Sequence, residues 1–311
     1  MKAFALRLYY PLIRGQTTRT PNCSSADILC KDRRRTASDD NTSGQIAVQT
    51  IKSHGMQPLR KLARVYGEGG LRGIARAVKD KRTRPSPVAP LPRVANDSFF
   101  DWLGYANAGM LAPGNVDAFD FAMARLPTPD PMIEIGSFCG LSTNVLTYLK
   151  QKHRAPNKLI SCDRWIFESD DGPMLGKSEI SHTEYREFVR DTFIRNVRMF
   201  SRADLPYTVE LFSDEFFAAW ETNQLAADVH GRTIQLGGPI SLCFIDGNHT
   251  YDFARRDFLN TDRWLVRGGF VIFDDSSEGS IGEARRVAHE VINTGRYRVV
   301  AETPNYFLEK L

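Results

Sequence analysis

The segment Met132–Ser142, with the sequence MIEIGSFCGLS, decides the fold of this chain. Its first four residues predict a short buried β-strand, and Gly136 and Gly140 follow where the strand turns into a helix. Glycines at such a turn let the backbone approach a ligand closely, and the N-terminus of the helix favours an anionic group. The segment therefore predicts a ligand-binding loop at the end of a buried strand.

The same alternation of strand and helix continues towards the C-terminus. Strands are predicted at Met132–Ile135, Leu159–Cys162, Tyr207–Phe212, Ile240–Ile245 and Phe270–Phe273, with helical patterns between them. This order is typical of βαβ units with a parallel sheet. Two last strands, Tyr297–Ala301 and Tyr306–Glu309, predict a closing hairpin. The predicted fold class is α/β, a doubly wound, mostly parallel seven-stranded sheet with a C-terminal antiparallel hairpin.

The N-terminal part differs in charge from the rest. Residues 1–95 carry 19 Lys and Arg against 6 Asp and Glu, a net charge of +13, whereas the remainder carries −9. We predict disorder over residues 1–55, a basic, partly helical arm with a proline-rich linker over 56–97, and a folded domain over 98–311. The arm predicts contact with an anionic membrane surface or an acidic partner, and a solvated arm without a partner is the alternative. The start of translation, Met1 or Met56, stays open.

Composition narrows the cellular setting. No apolar run has the length that a membrane-spanning helix needs, and Met1–Ile13 lacks the pattern of a secretory signal. The five cysteines are scattered without a CxxC pair, which favours a reducing compartment. We therefore expect a cytoplasmic protein, with the inner membrane surface as the place where the basic arm would bind. No nucleic-acid partner is expected, and oligomeric assembly stays open.

The spacing of the loop indicates its ligand. A nicotinamide-binding loop has the pattern GxGxxG, whereas this loop has ExGxxxG, with Phe138 in place of the middle glycine. That spacing favours S-adenosylmethionine, whose amino-acid end needs a carboxylate for its ammonium group and N–H donors for its carboxylate. The cofactor-binding residues predicted here are Glu134, Gly136, Ser137, Gly140 and Ser142.

Two further strands end in polar residues that extend this site. Asp163 follows the strand Leu159–Cys162 and is predicted to accept both ribose hydroxyls of the cofactor. Ser213 and Asp214 follow the next strand and suit the edge of the adenine. An acid at such a position is more often a helix cap. Acids at the ends of successive strands favour ligand binding, because open α/β sheets bind ligands at that edge.

The last two parallel strands end in an acidic cluster. Asp246 and His249 follow one strand, and Asp274 and Asp275 follow the other. Converging carboxylates repel one another unless they are protonated or hold a cation, and oxygen ligands suit Mg²⁺, Ca²⁺ or Mn²⁺. A cation would lower the pKa of a substrate hydroxyl, and His249 would accept its proton. The alternative is that His249 only caps the following helix.

Four segments, EIGSFCGLST, CDRW, FIDGNHTY and GGFVIFDD, together resemble class I S-adenosylmethionine-dependent methyltransferases of the methyltransferase-24 type. The group includes metal-dependent O-methyltransferases of macrolide deoxysugars, and the resemblance covers Ser98 to Leu311. It implies that Asp246, Asp274 and Asp275 hold Mg²⁺ and that His249 is the base. The related catechol enzymes have a lysine in place of the histidine and an amide as the last metal ligand, so His249 and Asp275 favour sugar hydroxyls.

The sequence thus predicts an S-adenosylmethionine-dependent, divalent-metal-assisted O-methyltransferase. Its expected acceptor is a small molecule or glycan, most plausibly a sugar hydroxyl in a glycan or glycosylated metabolite. One alternative is a metal-independent methyltransferase acting on another small molecule. The other is a non-catalytic scaffold protein that binds adenosylmethionine, which would have no need for the acids and the histidine together.

Overall fold

The computed structural model describes residues 91–94, 97–167, 172–280 and 282–311. The predicted disordered segment 1–55 and nearly all of the predicted arm and linker lie outside these residues, so those predictions remain untested. Within the described residues, no helix combines the length and the apolar character needed to cross a membrane.

The described residues form seven helices and nine strands. The helices are α1 Ser98–Ala106, α2 Pro113–Met123, α3 Leu141–His153, α4 His182–Phe200, α5 Ser213–Glu221, α6 Tyr251–Trp264 and α7 Ala284–Asn293. The strands are β1 Met132–Ile135, β2 Leu159–Cys162, β3 Tyr207–Val209, β4 Leu225–Ala227, β5 Thr233–Gln235, β6 Ile240–Ile245, β7 Leu265–Phe273, β8 Tyr297–Glu302 and β9 Tyr306–Lys310.

Seven of these strands form the predicted sheet, in the order β3-β2-β1-β6-β7-β9-β8. The first five are parallel, and β9 and β8 close the sheet in antiparallel orientation. Each parallel connection carries a helix, so both faces are covered and every residue of β1, β2 and β6 is buried. The predicted fold class is confirmed.

The helices follow from local signals that the sequence contains. The longest one, α4, begins with a capping box in which the Ser181 hydroxyl accepts the Glu184 N–H while the Glu184 carboxylate accepts the Ser181 N–H. Its buried stripe is Val189, Phe193 and Val197, which packs towards the glycine loop. The capping box therefore fixes where α4 begins, and the apolar stripe fixes which face of it is buried.

The bounds of four predicted strands need correction. The strand predicted to reach Phe212 ends at Val209, because the Leu211 N–H turns back onto the Val209 carbonyl at 2.9 Å. The strand predicted from Phe270 begins at Leu265, which pairs with Ile240 across a bulge. The hairpin strands each run one residue further than predicted. A separate two-stranded sheet, β4 with β5, was not predicted, since three-residue strands carry no clear periodicity.

Candidate active site

The carboxyl ends of four neighbouring parallel strands lie in register at one edge of the sheet. The last residue of β1, Ile135, pairs with the last residue of β2 on one side and of β6 on the other, and the end of β6 pairs with the end of β7. The residues that follow these ends are Gly136, Asp163, Asp246 and Asp274. The structure thus brings the predicted cofactor loop and the predicted acidic cluster to a single edge.

The two glycines of the loop are required by close packing inside the protein. Gly136 has a φ of 82°, and a Cβ there would lie 2.1 Å from the carbonyl oxygen of Asp246. Gly140 has a φ of 87°, and a Cβ there would lie 2.9 Å from the Val197 side chain. Both positions need the left-handed backbone that glycine adopts readily. Their predicted contact with the cofactor stays a prediction.

Asp163 binds the backbone of the glycine loop through hydrogen bonds. Its Oδ2 accepts hydrogen bonds from the backbone N–H groups of Ser137 at 2.7 Å and Phe138 at 2.9 Å, and its Oδ1 accepts one from Trp165 at 2.7 Å. Burial raises the pKa of this carboxyl, and the three N–H donors oppose that rise. Among the donors that the described residues supply, none occupies the second lone pair of Oδ1, so the predicted ribose contact would use that one.

Glu134 is fully buried at the end of β1. Its two carboxylate oxygens accept hydrogen bonds from the hydroxyls of Ser142 and Thr143, each at 2.6 Å. Burial raises its pKa to about 7. Each oxygen of the predicted ammonium partner therefore already accepts one hydrogen bond from the first turn of α3. This geometry ties Glu134 to that helix, and through it to the loop, and its predicted contact with the cofactor stays a prediction.

The predicted adenine residues start helix α5 beside the loop. The Ser213 hydroxyl donates to Oδ1 of Asp257, a buried acid of α6, at 2.5 Å. Burial raises the pKa of Asp257 to about 6. Asp214 is half-exposed, with Arg256 at 3.7 Å from its carboxylate. Of the two, only Asp214 presents its side chain at the open edge, and Asp257 is a polar residue of this region that the sequence did not reveal.

The acidic centre, which consists of Asp246, His249, Asp274 and Asp275, lies on the other side of the loop. Asp246 and Asp274 lie within hydrogen-bonding contact of each other. Burial and mutual repulsion raise the pKa of Asp246 well above its ordinary value, and the pKa of Asp274 is raised by burial and by the charge of Asp275. Asp275 is exposed and has a φ of 48°, a conformation that non-glycine residues rarely adopt.

His249 faces this centre. Its Nε2 lies 3.7 Å from Asp246 Oδ1 and 3.8 Å from Asp275 Oδ2. The residue that caps α6 is Thr250, so His249 is not the N-cap of that helix. The helix-cap interpretation of His249 is thereby excluded. Ligand atoms of His249, Asp246 and Asp274 all lie within 4.8 Å of one another.

Two asparagines complete the centre. Asn115 of α2 and Asn305 of the β8–β9 turn both donate to Asp274 Oδ1, at 2.6 and 2.7 Å. They come from opposite ends of the domain and are brought together by the tertiary fold, 190 residues apart. No periodic pattern or motif in the sequence indicates either residue.

The donor set fits a hard divalent cation. The buried carboxylate of Asp274 faces the partly exposed carboxylate of Asp246, and among the described residues no Lys or Arg forms an ion pair with either. Oxygen ligands of this kind suit Mg²⁺ or Mn²⁺, and the charge of a cation would relieve the repulsion that raises both pKa values. Asp246 and Asp274 are the residues that would hold it, with Asp275 at the exposed side.

Comparison with known proteins agrees with this arrangement. Residues 133–276 match the model of a family described as a methyltransferase domain, of the methyltransferase-24 type, as the sequence predicted. The matched segment contains the glycine loop, Asp163 and all four residues of the acidic centre. It excludes α1, α2 and the C-terminal hairpin.

Solved structures with a similar arrangement include three methyltransferases. TomG from Streptomyces achromogenes, in complex with SAM, has 16% identity over 70% of this chain and 91% of its own, with a TM-score of 0.42. The Bacillus cereus O-methyltransferase in complex with SAH has 13% identity over 69% and 90%, with a TM-score of 0.43. The calicheamicin methyltransferase CalS11 has 14% identity over 63% and 77%, with a TM-score of 0.42. At these scores the likeness assigns no substrate to this chain.

Proposed function

We propose that this chain, an S-adenosylmethionine-dependent methyltransferase of the class I type, transfers the methyl group to a sugar hydroxyl beside a divalent cation. The observation that carries the proposal is the convergence of Asp246, Asp274 and His249 next to the glycine loop. A cation would offset the repulsion between the facing carboxylates of Asp246 and Asp274. Without a cation, at least one of these acids has to be protonated, so a metal-independent enzyme would carry a protonated acid beside His249.

Each of these residues has a separate role in the reaction. The hydroxyl oxygen attacks the methyl carbon, the bond from that carbon to the sulfonium sulfur breaks, and S-adenosylhomocysteine leaves. His249 Nε2 accepts the hydroxyl proton, since histidine is the side chain that changes charge between pH 5 and 8. A cation held by Asp246 and Asp274 would lower the pKa of the hydroxyl. Asp163 and Glu134 keep the loop rigid, so that the cofactor is held in one orientation.

The acceptor class rests on the histidine. A sugar hydroxyl is a weak acid, so its deprotonation needs a base close to the cation that would polarise it. His249 is partly exposed and lies 3.7 Å from Asp246, one of the residues that would hold that cation. The resemblance to sugar O-methyltransferases supports the same acceptor class.

An acceptor panel of free sugars, nucleotide sugars, glycosylated metabolites and catechols, assayed by release of S-adenosylhomocysteine, tests the proposal. We expect turnover with a sugar hydroxyl, and a rate that falls roughly 10²–10⁴-fold in His249→Ala, as is typical when a general base is lost. His153→Ala is a matched control, because His153 contacts Asp120 at 2.8 Å on α2, outside the acidic centre. Turnover only with catechols, or a normal rate in His249→Ala, would contradict the proposal.

A further inference from the structure

Two buried amides converge on a single oxygen of the acidic centre. Asn115 is 1% exposed and Asn305 is 6% exposed, and their Nδ2 groups lie 2.6 and 2.7 Å from Asp274 Oδ1. Both residues lie outside the segment 133–276 that matches the family model. Their positions are therefore set by elements that flank the matched segment, namely α2 and the β8–β9 turn.

The hydrogen-bond network fixes the orientation of both amides. Asn305 Oδ1 accepts the backbone N–H of Ser276 at 3.1 Å, so the Nδ2 of Asn305 must face the acidic centre. That Nδ2 also donates to Asn115 Oδ1 at 3.1 Å. Asn115 must consequently turn its own Nδ2 towards Asp274. The hydrogen-bond network thus assigns the oxygen and nitrogen positions of both amides, and two N–H donors contact Asp274 Oδ1.

The backbone is built to allow this convergence. A Cβ on Gly114 would lie 1.4 Å from the carbonyl oxygen of Thr303, so only glycine lets α2 approach the β8–β9 turn so closely. Asn115 directly follows Gly114, and Asn305 lies two residues after Thr303. The close approach of α2 to the turn is what places both amides on one carboxylate oxygen.

A carboxylate oxygen has two lone pairs, and both lone pairs of Asp274 Oδ1 are used by these amides. Oδ2 is the oxygen that these two amides leave for a cation. Ca²⁺ takes carboxylates through one or two oxygens in flexible geometry, whereas Mg²⁺ requires near-octahedral geometry. Because Asp274 can offer one oxygen only, the site suits the smaller ion.

We propose that Asn115 and Asn305 are positioning residues that make Asp274 a single-oxygen ligand and so favour Mg²⁺ or Mn²⁺ over Ca²⁺. The inference rests on the proposed function, since it concerns the cation named there. It adds α2 and the C-terminal hairpin to the parts of the chain that shape the active site.

The test is Mn²⁺ binding to the full chain, measured by electron paramagnetic resonance, with competition by Ca²⁺. We expect Asn115→Ala to weaken Mn²⁺ binding by about 10–100-fold, the usual effect of losing an outer-shell partner, and to narrow the preference for Mn²⁺ over Ca²⁺. Asn157→Ala is the matched control. Asn157 is also 1% exposed and donates to two oxygens, the Thr128 and Asp130 carbonyls at 2.7 and 2.6 Å, away from the centre.

Circular dichroism of each variant shows whether it folds, and Asn115→Ser, which keeps a donor of smaller size, replaces Asn115→Ala if that variant does not. Mn²⁺ affinity and ion preference equal to those of the wild type and of Asn157→Ala would overturn the inference. A wild-type chain that binds no Mn²⁺ would instead overturn the cation of the proposed function, and the inference with it. The two failures are therefore distinguishable.

Discussion

The carboxylate of Asp163 lies beneath the glycine loop, and its Oδ2 accepts the backbone N–H of Ser137 at 2.7 Å. The predicted ribose ligand is thus also the residue that shapes the loop at the cofactor site. Loop stability and cofactor affinity are coupled through this one side chain, which leads to the first prediction.

Asp163→Ala is expected to lower both stability and cofactor affinity. The change leaves three backbone N–H groups without their acceptor, which costs on the order of 3 kcal/mol of unfolding free energy. Urea unfolding and calorimetric titration with S-adenosylmethionine measure the two effects. Asp214→Ala is the comparison, because the exposed Asp214 should affect affinity with little change in stability. An Asp163→Ala protein as stable as the wild type would contradict the loop-supporting role.

Glu134 is expected to make stability depend on pH. Its pKa rises from 4.5 to about 7 in the folded chain, so the folded state binds more protons than the unfolded state between these values. Stability should therefore fall as pH rises from about 4.5 to 7, by up to about 3 kcal/mol from this group alone. Above pH 7 this loss of unfolding free energy should stay constant.

Glu134→Gln removes that titration. The wild type should therefore lose unfolding free energy between pH 4.5 and 7 by an amount that the variant does not lose, so the variant becomes relatively more stable as the pH rises. Urea unfolding at a series of pH values measures this difference. Glu184→Gln is the control, because hydrogen bonds from Ser181 lower the pKa of the exposed Glu184 and give a dependence of opposite sign. A difference for Glu134→Gln that does not change with pH would show that Glu134 is ionised throughout.

Gly136→Ala is expected to destabilise the fold itself. The new Cβ would lie 2.1 Å from the Asp246 carbonyl oxygen in a left-handed backbone conformation, which costs about 2 kcal/mol or more. Gly104→Ala is the control, because Gly104 is exposed within α1 with no atom near its added Cβ, and alanine there should stabilise by about 0.5–1 kcal/mol. Thermal unfolding measures both. Equal melting temperatures for the two variants would contradict the packing argument.

His249 is expected to act as a base and not to hold the cation tightly. His249→Ala should bind Mn²⁺ nearly as well as the wild type, whereas Asp246→Asn should lose binding, because it removes charge from the pair Asp246 and Asp274. Electron paramagnetic resonance with Mn²⁺ compares the two variants. If His249→Ala loses Mn²⁺ as completely as Asp246→Asn, His249 is a ligand and the base is another group.

Sequence reasoning found most of the sheet, because apolar runs between turn signals define buried strands. The bounds of β1, β2 and β6 were predicted to the residue. It misplaced the start of β7, since Gly268 and Gly269 have the composition of a turn, while the structure carries the strand through them to Leu265 across a bulge. Such a bulge depends on the neighbouring strand, which local sequence does not describe.

Some residues of the candidate site could likewise be predicted from the sequence, and others could not. Residues that follow parallel strands meet at one edge by topology, so Asp163, Asp246 and Asp274 could be placed together from the sequence. Asn115 and Asn305 could not, because their meeting depends on how closely α2 approaches the β8–β9 turn. The sequence also could not show that the oxygens of Glu134 accept hydrogen bonds from the hydroxyls of Ser142 and Thr143, eight and nine residues further along the chain.

The dependence of methyl transfer on a divalent cation tests the central claim most directly. Release of S-adenosylhomocysteine, with the acceptor identified by the panel, should fall to background when the protein is treated with chelator. It should return when Mg²⁺ is restored, and Asp274→Asn should need more Mg²⁺ to reach half of its maximal rate. Turnover at the full rate in the presence of chelator, with no response to added Mg²⁺, would contradict a cation-assisted reaction at Asp246 and Asp274.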